Sequence, residues 1–169
     1  MTKIAKVIVD VPLMQTDKPF SYKIPEALLS VITAGSRVHV PFGKGNRLLQ
    51  GFVVSVDSGS AQHLKTIIDV LDVEPVLNQE QLELADQMRK TVFSYKISIL
   101  KSMIPNLLNS NYDRLLKPKK GLSQEEKDLI FAGKKQINFS QLNQEIQTKS
   151  LSLIQAGKID IEYLAKDRK

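Results

Sequence analysis

Short apolar runs broken by turn residues dominate the first 75 residues, at positions 4–11, 20–24, 37–42, 48–56 and 65–71. Each is rich in β-branched or aromatic residues and bounded by Pro, Gly, Asp or Ser, the pattern of half-buried strands separated by turns. In the second run Phe20, Tyr22 and Ile24 alternate with Ser21 and Lys23, so one face is buried and the other meets water. By alternation alone both Phe20 and Tyr22 read as core. Five strands at this spacing predict a small antiparallel, OB-like β-barrel. Between the third and fourth runs, PFGKGN (41–46) carries two glycines and an asparagine, residues that accept positive φ and let a backbone approach a ligand closely.

The period changes at Asn78. Leu82, Ala85, Met88 and Val92 fall at spacings of three and four, and no glycine occurs from Gln79 through Ile104. This predicts one helix, or two with a break at 93–95, ended by Pro105. The stretch from 109 to 121 reads as a partly extended basic linker holding Lys117, Lys119 and Lys120. Ser123 and Glu126 then stand at capping-box spacing, which starts a further helix. INFSQLNQEI and TKSLSLIQAGKI predict two more short helices, the second closed by Gly157, before an alternating strand at 158–164. Three helices and a strand are in winged-helix order. The expected class is therefore α+β, mainly β at the N-terminus: a barrel domain with its following helix (1–108), a linker (109–121) and a winged helix with a β-wing (122–169).

Charge modifies this picture through its distribution. The formal net charge is +6, yet residues 1–80 carry eight basic and eight acidic side chains, residues 81–121 eight and three, and residues 122–169 eight and seven. A polyanion partner is expected, with the excess placed in the middle of the chain. Cysteine is absent and there are two histidines, His39 and His63, so no disulfide framework and no thiolate or imidazole metal centre is expected. The N-terminal run is broken by Asp10 and Pro12 and reads neither as a secretory signal nor as a membrane span, which leaves a cytoplasmic protein as the expectation. No G-x-x-x-x-G-K-[ST] loop, H-E-x-x-H or G-x-S-x-G occurs, so neither ATP hydrolysis nor other catalysis is expected of this chain.

Four ordered motifs carry a resemblance: V-x-V-P-L at 9–13, P-F-S-Y at 19–22, R-V-x-V-P-F-G-K at 37–44 and L-K-x-I-I-x-V-L-D at 64–72, followed by E-P-V at 74–76. Together they resemble the 3′-DNA-binding domain of the PriA family of replication-restart helicases, and SYKISILKSMIPNLL (94–108) resembles the helix and proline that follow that domain. The last 48 residues fit the family's winged helix by order and pattern only.

The resemblance implies a pocket for the 3′-hydroxyl end of the nascent leading strand at a stalled fork. Its residues here would be Phe20, Ser21, Gly43 and Lys65. An aromatic ring can stack on a terminal base, a glycine turn lets amides approach the sugar and phosphate, and an ammonium meets the last phosphate. Where the family often has aspartate, this chain has Ser21, a shorter, uncharged donor and acceptor. Arg37, Lys44, Arg47, Lys117, Lys119 and Lys120 are candidate phosphate contacts. The third winged-helix segment has no arginine, so backbone or shape binding is expected there rather than base readout.

The family couples ATP hydrolysis, with magnesium and structural zinc, to 3′ to 5′ unwinding. It works beside single-stranded DNA-binding protein and the primosomal helicase loader. The present chain is thus expected to be a monomeric piece of such a protein, excised or naturally truncated, with no cofactor of its own. Two other readings stay open: a barrel and winged-helix regulator or translation-type factor for duplex DNA or RNA, and a protein-interaction module.

Overall fold

The computed structural model describes residues 1–105 and 112–165. The chain divides into two compact units, Met1–Pro105 and Asn106–Lys169. Both are α+β with antiparallel sheets.

The first unit is built on strands β1 (Thr2–Val9), β2 (Phe20–Lys23), β3 (Arg37–Phe42), β4 (Arg47–Gly59) and β5 (Asp69–Val70), in sheet order β2-β1-β4-β3-β5. All five lie within or beside the runs expected from the sequence. Val7, Val9, Val38, Val40, Val53 and Val70 are fully buried, each contributing about 1.5–3 kcal/mol relative to an exposed side chain. β1 and β4 approach closely at Gly51, where an added Cβ would lie 2.6 Å from Val7 Cγ1 and 2.8 Å from the Ile8 carbonyl oxygen.

The expected barrel takes the form of a sheet whose two edges meet at one bridge. The Lys23 N–H donates to the Lys65 carbonyl at 2.8 Å, and the Ile67 N–H donates to the Lys23 carbonyl at 3.0 Å. Among the described residues the ladder between these edges goes no further. The fifth run, expected as a strand over 65–71, pairs as a regular strand only at Asp69–Val70. Its first part turns to bond β2, and its backbone groups are thereby divided between two edges.

Helix α1 (Gln79–Thr91) starts at a reciprocal cap: the Asn78 side chain accepts the Gln81 N–H at 2.8 Å, and the Gln81 side chain accepts the Asn78 N–H at 2.9 Å. The anticipated break is present, and α2 (Lys96–Ser102) follows it. Asp17, far away in sequence, accepts the Lys96 N–H at 2.8 Å and also bonds Arg89. One carboxylate thus holds the start of α2 and the end of α1 to the β1–β2 connection, which favours a break at this place over a continuous helix. α2 packs on β1.

The second unit contains β6 (Tyr112–Pro118), α3 (Gln124–Phe131), β7 (Ile137–Asn138), α4 (Gln144–Gln155) and β8 (Ile159–Ala165), with sheet order β7-β6-β8. The capping box is formed: Ser123 Oγ accepts the Glu126 N–H at 3.2 Å, and Glu126 Oε2 accepts the Ser123 N–H at 3.0 Å. That second bond, made to the carboxylate, draws the Glu126 carboxyl below its ordinary range.

Two expectations are corrected here. The basic linker is not a linker over Tyr112–Pro118; these residues are the central strand of the sheet, because Leu116 is fully buried and Leu115 and Leu116 pair with both β7 and β8. Positions 109–111 lie outside the described residues. The second of the three short helices is likewise absent as an α-helix. Ile137–Asn138 pairs with β6 instead, and the Asn138 side chain turns the chain into a single 3-10 turn at Phe139–Gln141 by accepting the Ser140 N–H at 3.1 Å. Asn143 then caps α4, which absorbs the residues left over. Among the described residues no helix is long and apolar enough to cross a membrane.

Candidate nucleic-acid interface

The β3–β4 hairpin ends in the turn 43–46, closed by the pair Phe42–Arg47. Gly43 has φ +71° and Asn46 φ +49°, and the Asn46 N–H reaches the Gly43 carbonyl at 3.3 Å. A Cβ added at Gly43 would meet nothing within 4 Å, so its side faces open space; the glycine is needed for conformation rather than for packing. Two side chains from other parts of the sheet hold this turn. Lys65 Nζ donates to the Gly43 carbonyl at 2.6 Å, and Tyr22 Oη donates to the Pro41 carbonyl at 3.1 Å. Burial pushes the Tyr22 phenol up, which keeps it a donor throughout the neutral range. Gly43 and Lys65, both expected in the site, are therefore in contact, and Tyr22 is core as its alternation indicated.

Phe20 opens β2 half-buried, and its ring meets Phe42 edge to face, with centroids 5.1 Å apart and planes at 86°. Lys18 Nζ lies 5.7 Å from the Phe20 centroid. Phe20 thus reaches the glycine turn through Phe42. Ser21 does not join them: side chains alternate along a strand, so it stands on the other face of β2, opposite Lys6, whose Nζ donates to Ser21 Oγ at 2.7 Å. Three of the four residues carried over by resemblance converge, and the fourth is held by a lysine. No motif singles out Lys6 or Lys18. For Phe42 a signal was present, an aromatic directly before a glycine turn.

The six candidate phosphate contacts separate sharply. Lys44 and Arg47 are exposed at the hairpin turn. Arg37 is 1% exposed, and its Nε and Nη2 donate to the two Asp72 carboxylate oxygens at 2.6 and 2.9 Å, so it is withdrawn as a phosphate contact. Burial with a bidentate carboxylate leaves its charge internally satisfied. Lys117 pairs with Glu162, and Lys119 Nζ lies 3.4 Å from Asp160 Oδ1. Lys120 is exposed in the following turn. Among the described residues no group of three or more His, Asp or Glu side chains could hold a metal ion. A cavity of about 430 Å³ lined by Met14, Asp17, Arg89 and residues 90–95 shares none of the residues above.

A paired aromatic surface beside a glycine turn, with ammonium groups at its rim, has the character of a nucleic-acid-binding module. The family model described as the 3′DNA-binding domain (3′BD) of PriA matches residues 6–105, and the chain belongs to that family. It is also similar to "Replication restart protein PriA" of Bacillus subtilis (strain 168), at 35% identity over 164 residues, or 94% of this chain. The chain spans 20% of the length of that relative.

Proposed function

We propose that the chain recognises the free 3′-hydroxyl end of a DNA strand at stalled or abandoned replication forks, as the DNA-reading part of a replication-restart helicase. One observation carries this: Lys65 and Gly43, 22 residues apart in sequence, are joined at 2.6 Å beside the Phe20–Phe42 pair. The terminal base lies against the aromatic surface, the sugar sits at the open side of Gly43, and the ammonium protons of Lys65 not used on the carbonyl face the last phosphate. An internal nucleotide is rejected by collision of its continuing strand, so no base sequence needs to be read.

In this reading the first unit is a small barrel and the second a winged helix that contacts parental duplex or positions the motor. The chain performs no catalytic step. ATP, magnesium and zinc belong to the longer family members, as do contacts with single-stranded DNA-binding protein and the helicase loader. The place of action is the cytoplasm, and the chain acts as a monomer.

Fluorescence anisotropy with single-stranded oligonucleotides that differ only in a 3′-hydroxyl or 3′-phosphate tests the proposal. The hydroxyl form is expected to bind more tightly by roughly tenfold, about 1.4 kcal/mol. Equal binding of the two ends rules out end recognition, and a dependence on duplex sequence would point to a regulator instead.

A further inference from the structure

We infer that Phe42 is a second contact for the terminal base, so that the end site has two aromatic walls; this rests on the end-binding reading above. Phe42 is the last residue of β3; Tyr22 Oη holds the carbonyl of the peptide that precedes it, Pro41, at 3.1 Å, and Lys65 Nζ holds the turn one peptide further on, at the Gly43 carbonyl, at 2.6 Å. Its backbone pairs with Arg47 across the hairpin, and its ring rests against Phe20. Contact with Phe20 restricts the ring before any ligand arrives, and a restricted side chain loses less entropy on binding.

The ring so fixed is half-buried and perpendicular to Phe20, with centroids 5.1 Å apart. Two rings at right angles make a corner. A planar base stacked on either ring meets the other edge on, and both arrangements are favourable for aromatic pairs. Lys18 lies over the Phe20 ring, so a base arriving there meets a cation already in place, whereas Phe42 stands next to the open side of Gly43. Arg47 is exposed and stands opposite Phe42 in the ladder, so the two side chains leave on the same face of the sheet.

The competing role for Phe42 is to pack against Phe20 and close the end of the sheet. The two roles separate on a substrate that lacks its last base. Anisotropy is measured for the full chain with a single-stranded oligonucleotide ending in a normal nucleotide, and with its twin ending in an abasic residue that retains the 3′-hydroxyl. Stacking energies per base set the wild-type penalty for the abasic end at roughly tenfold. In Phe42→Leu that penalty is expected to fall to about threefold, with the preference for hydroxyl over 3′-phosphate retained; Phe42→Tyr keeps the full penalty.

An unchanged abasic penalty in a folded Phe42→Leu protein, with hydroxyl preference intact, overturns the assignment alone. Loss of hydroxyl preference in the wild type overturns the end-binding reading and the assignment with it. Should Phe42→Leu melt out, the decision passes to the wild-type complex: nuclear Overhauser effects from the terminal base to the Phe42 ring support the inference, and effects to Phe20 without Phe42 overturn it.

Discussion

Three lysines of the first unit and two on the sheet of the second differ in what holds them. Lys65 is bonded to a carbonyl, Lys6 to a hydroxyl, and Lys18 lies over an aromatic ring; among the described residues none of these partners is charged. Lys117 and Lys119 face Glu162 and Asp160 across the β6–β8 pair. A neutral partner positions an ammonium without cancelling its field, whereas a carboxylate does both. Residues 1–80 balance eight basic against eight acidic side chains, and residues 81–121 carry eight against three. The more basic stretch nevertheless contains the neutralised lysines. Charge counted along the chain does not show which lysines keep their field, because carboxylates 41 and 45 residues downstream are invisible to it.

This contrast can be broken by experiment. The largest effect is expected at the buried cation. Asp72→Ala leaves Arg37 inside without its bidentate partner, and urea unfolding of this variant should show a loss of about 3–5 kcal/mol; a loss below about 1 kcal/mol means that Arg37 reaches water. At the other extreme of exposure, Lys65→Ala should weaken binding of a 3′-hydroxyl end roughly tenfold, about 1.4 kcal/mol. The slope of log affinity against log salt should become shallower by about 0.7. An unchanged slope would show that the Lys65 ammonium serves only to hold Gly43.

Tyr22→Phe removes the hydroxyl that holds the Pro41 carbonyl while leaving the ring in the core. A stability loss of about 1 kcal/mol is expected from thermal melts, with an affinity loss of about threefold as Phe42 loosens. If affinity stays constant while stability falls, the anchoring of the turn has no bearing on DNA. The smallest effect belongs to the carboxylate-paired lysines. The double substitution Lys117→Ala and Lys119→Ala should change stability by no more than about 1 kcal/mol and end binding by less than about twofold. A large drop in affinity would reverse the contrast and return the phosphate path to β6.

Much of the fold could be read directly. The first four strands of the first unit, the cap at Ser123 and the break near Phe93 are each written in a few adjacent residues, because alternation, capping and turn chemistry are local. The failures share a cause. Residues 112–118 read as a basic linker, and 137–141 as part of a helix, because their state depends on partners that arrive from a distance: β6 becomes a strand when β7 and β8 pair with it. The resemblance to the PriA family named Phe20, Gly43 and Lys65, and the fold adds that Lys65 meets Gly43 and Phe20 meets Phe42. Arg37 was misjudged because nothing in R-V-H-V-P-F reveals Asp72.

What the chain determines by itself is the set of elements with short-range causes, together with the residue types able to meet DNA. Tertiary structure alone decided which cations keep their field, by setting carbonyl, hydroxyl, ring or carboxylate against each one. It also brought Phe42 to a right angle with Phe20, and anchored the peptide before it and the turn after it. The physical reason is range: torsional preference and hydrophobic period act over a few residues, whereas charge compensation and ring packing depend on distances in space that only the closed fold defines.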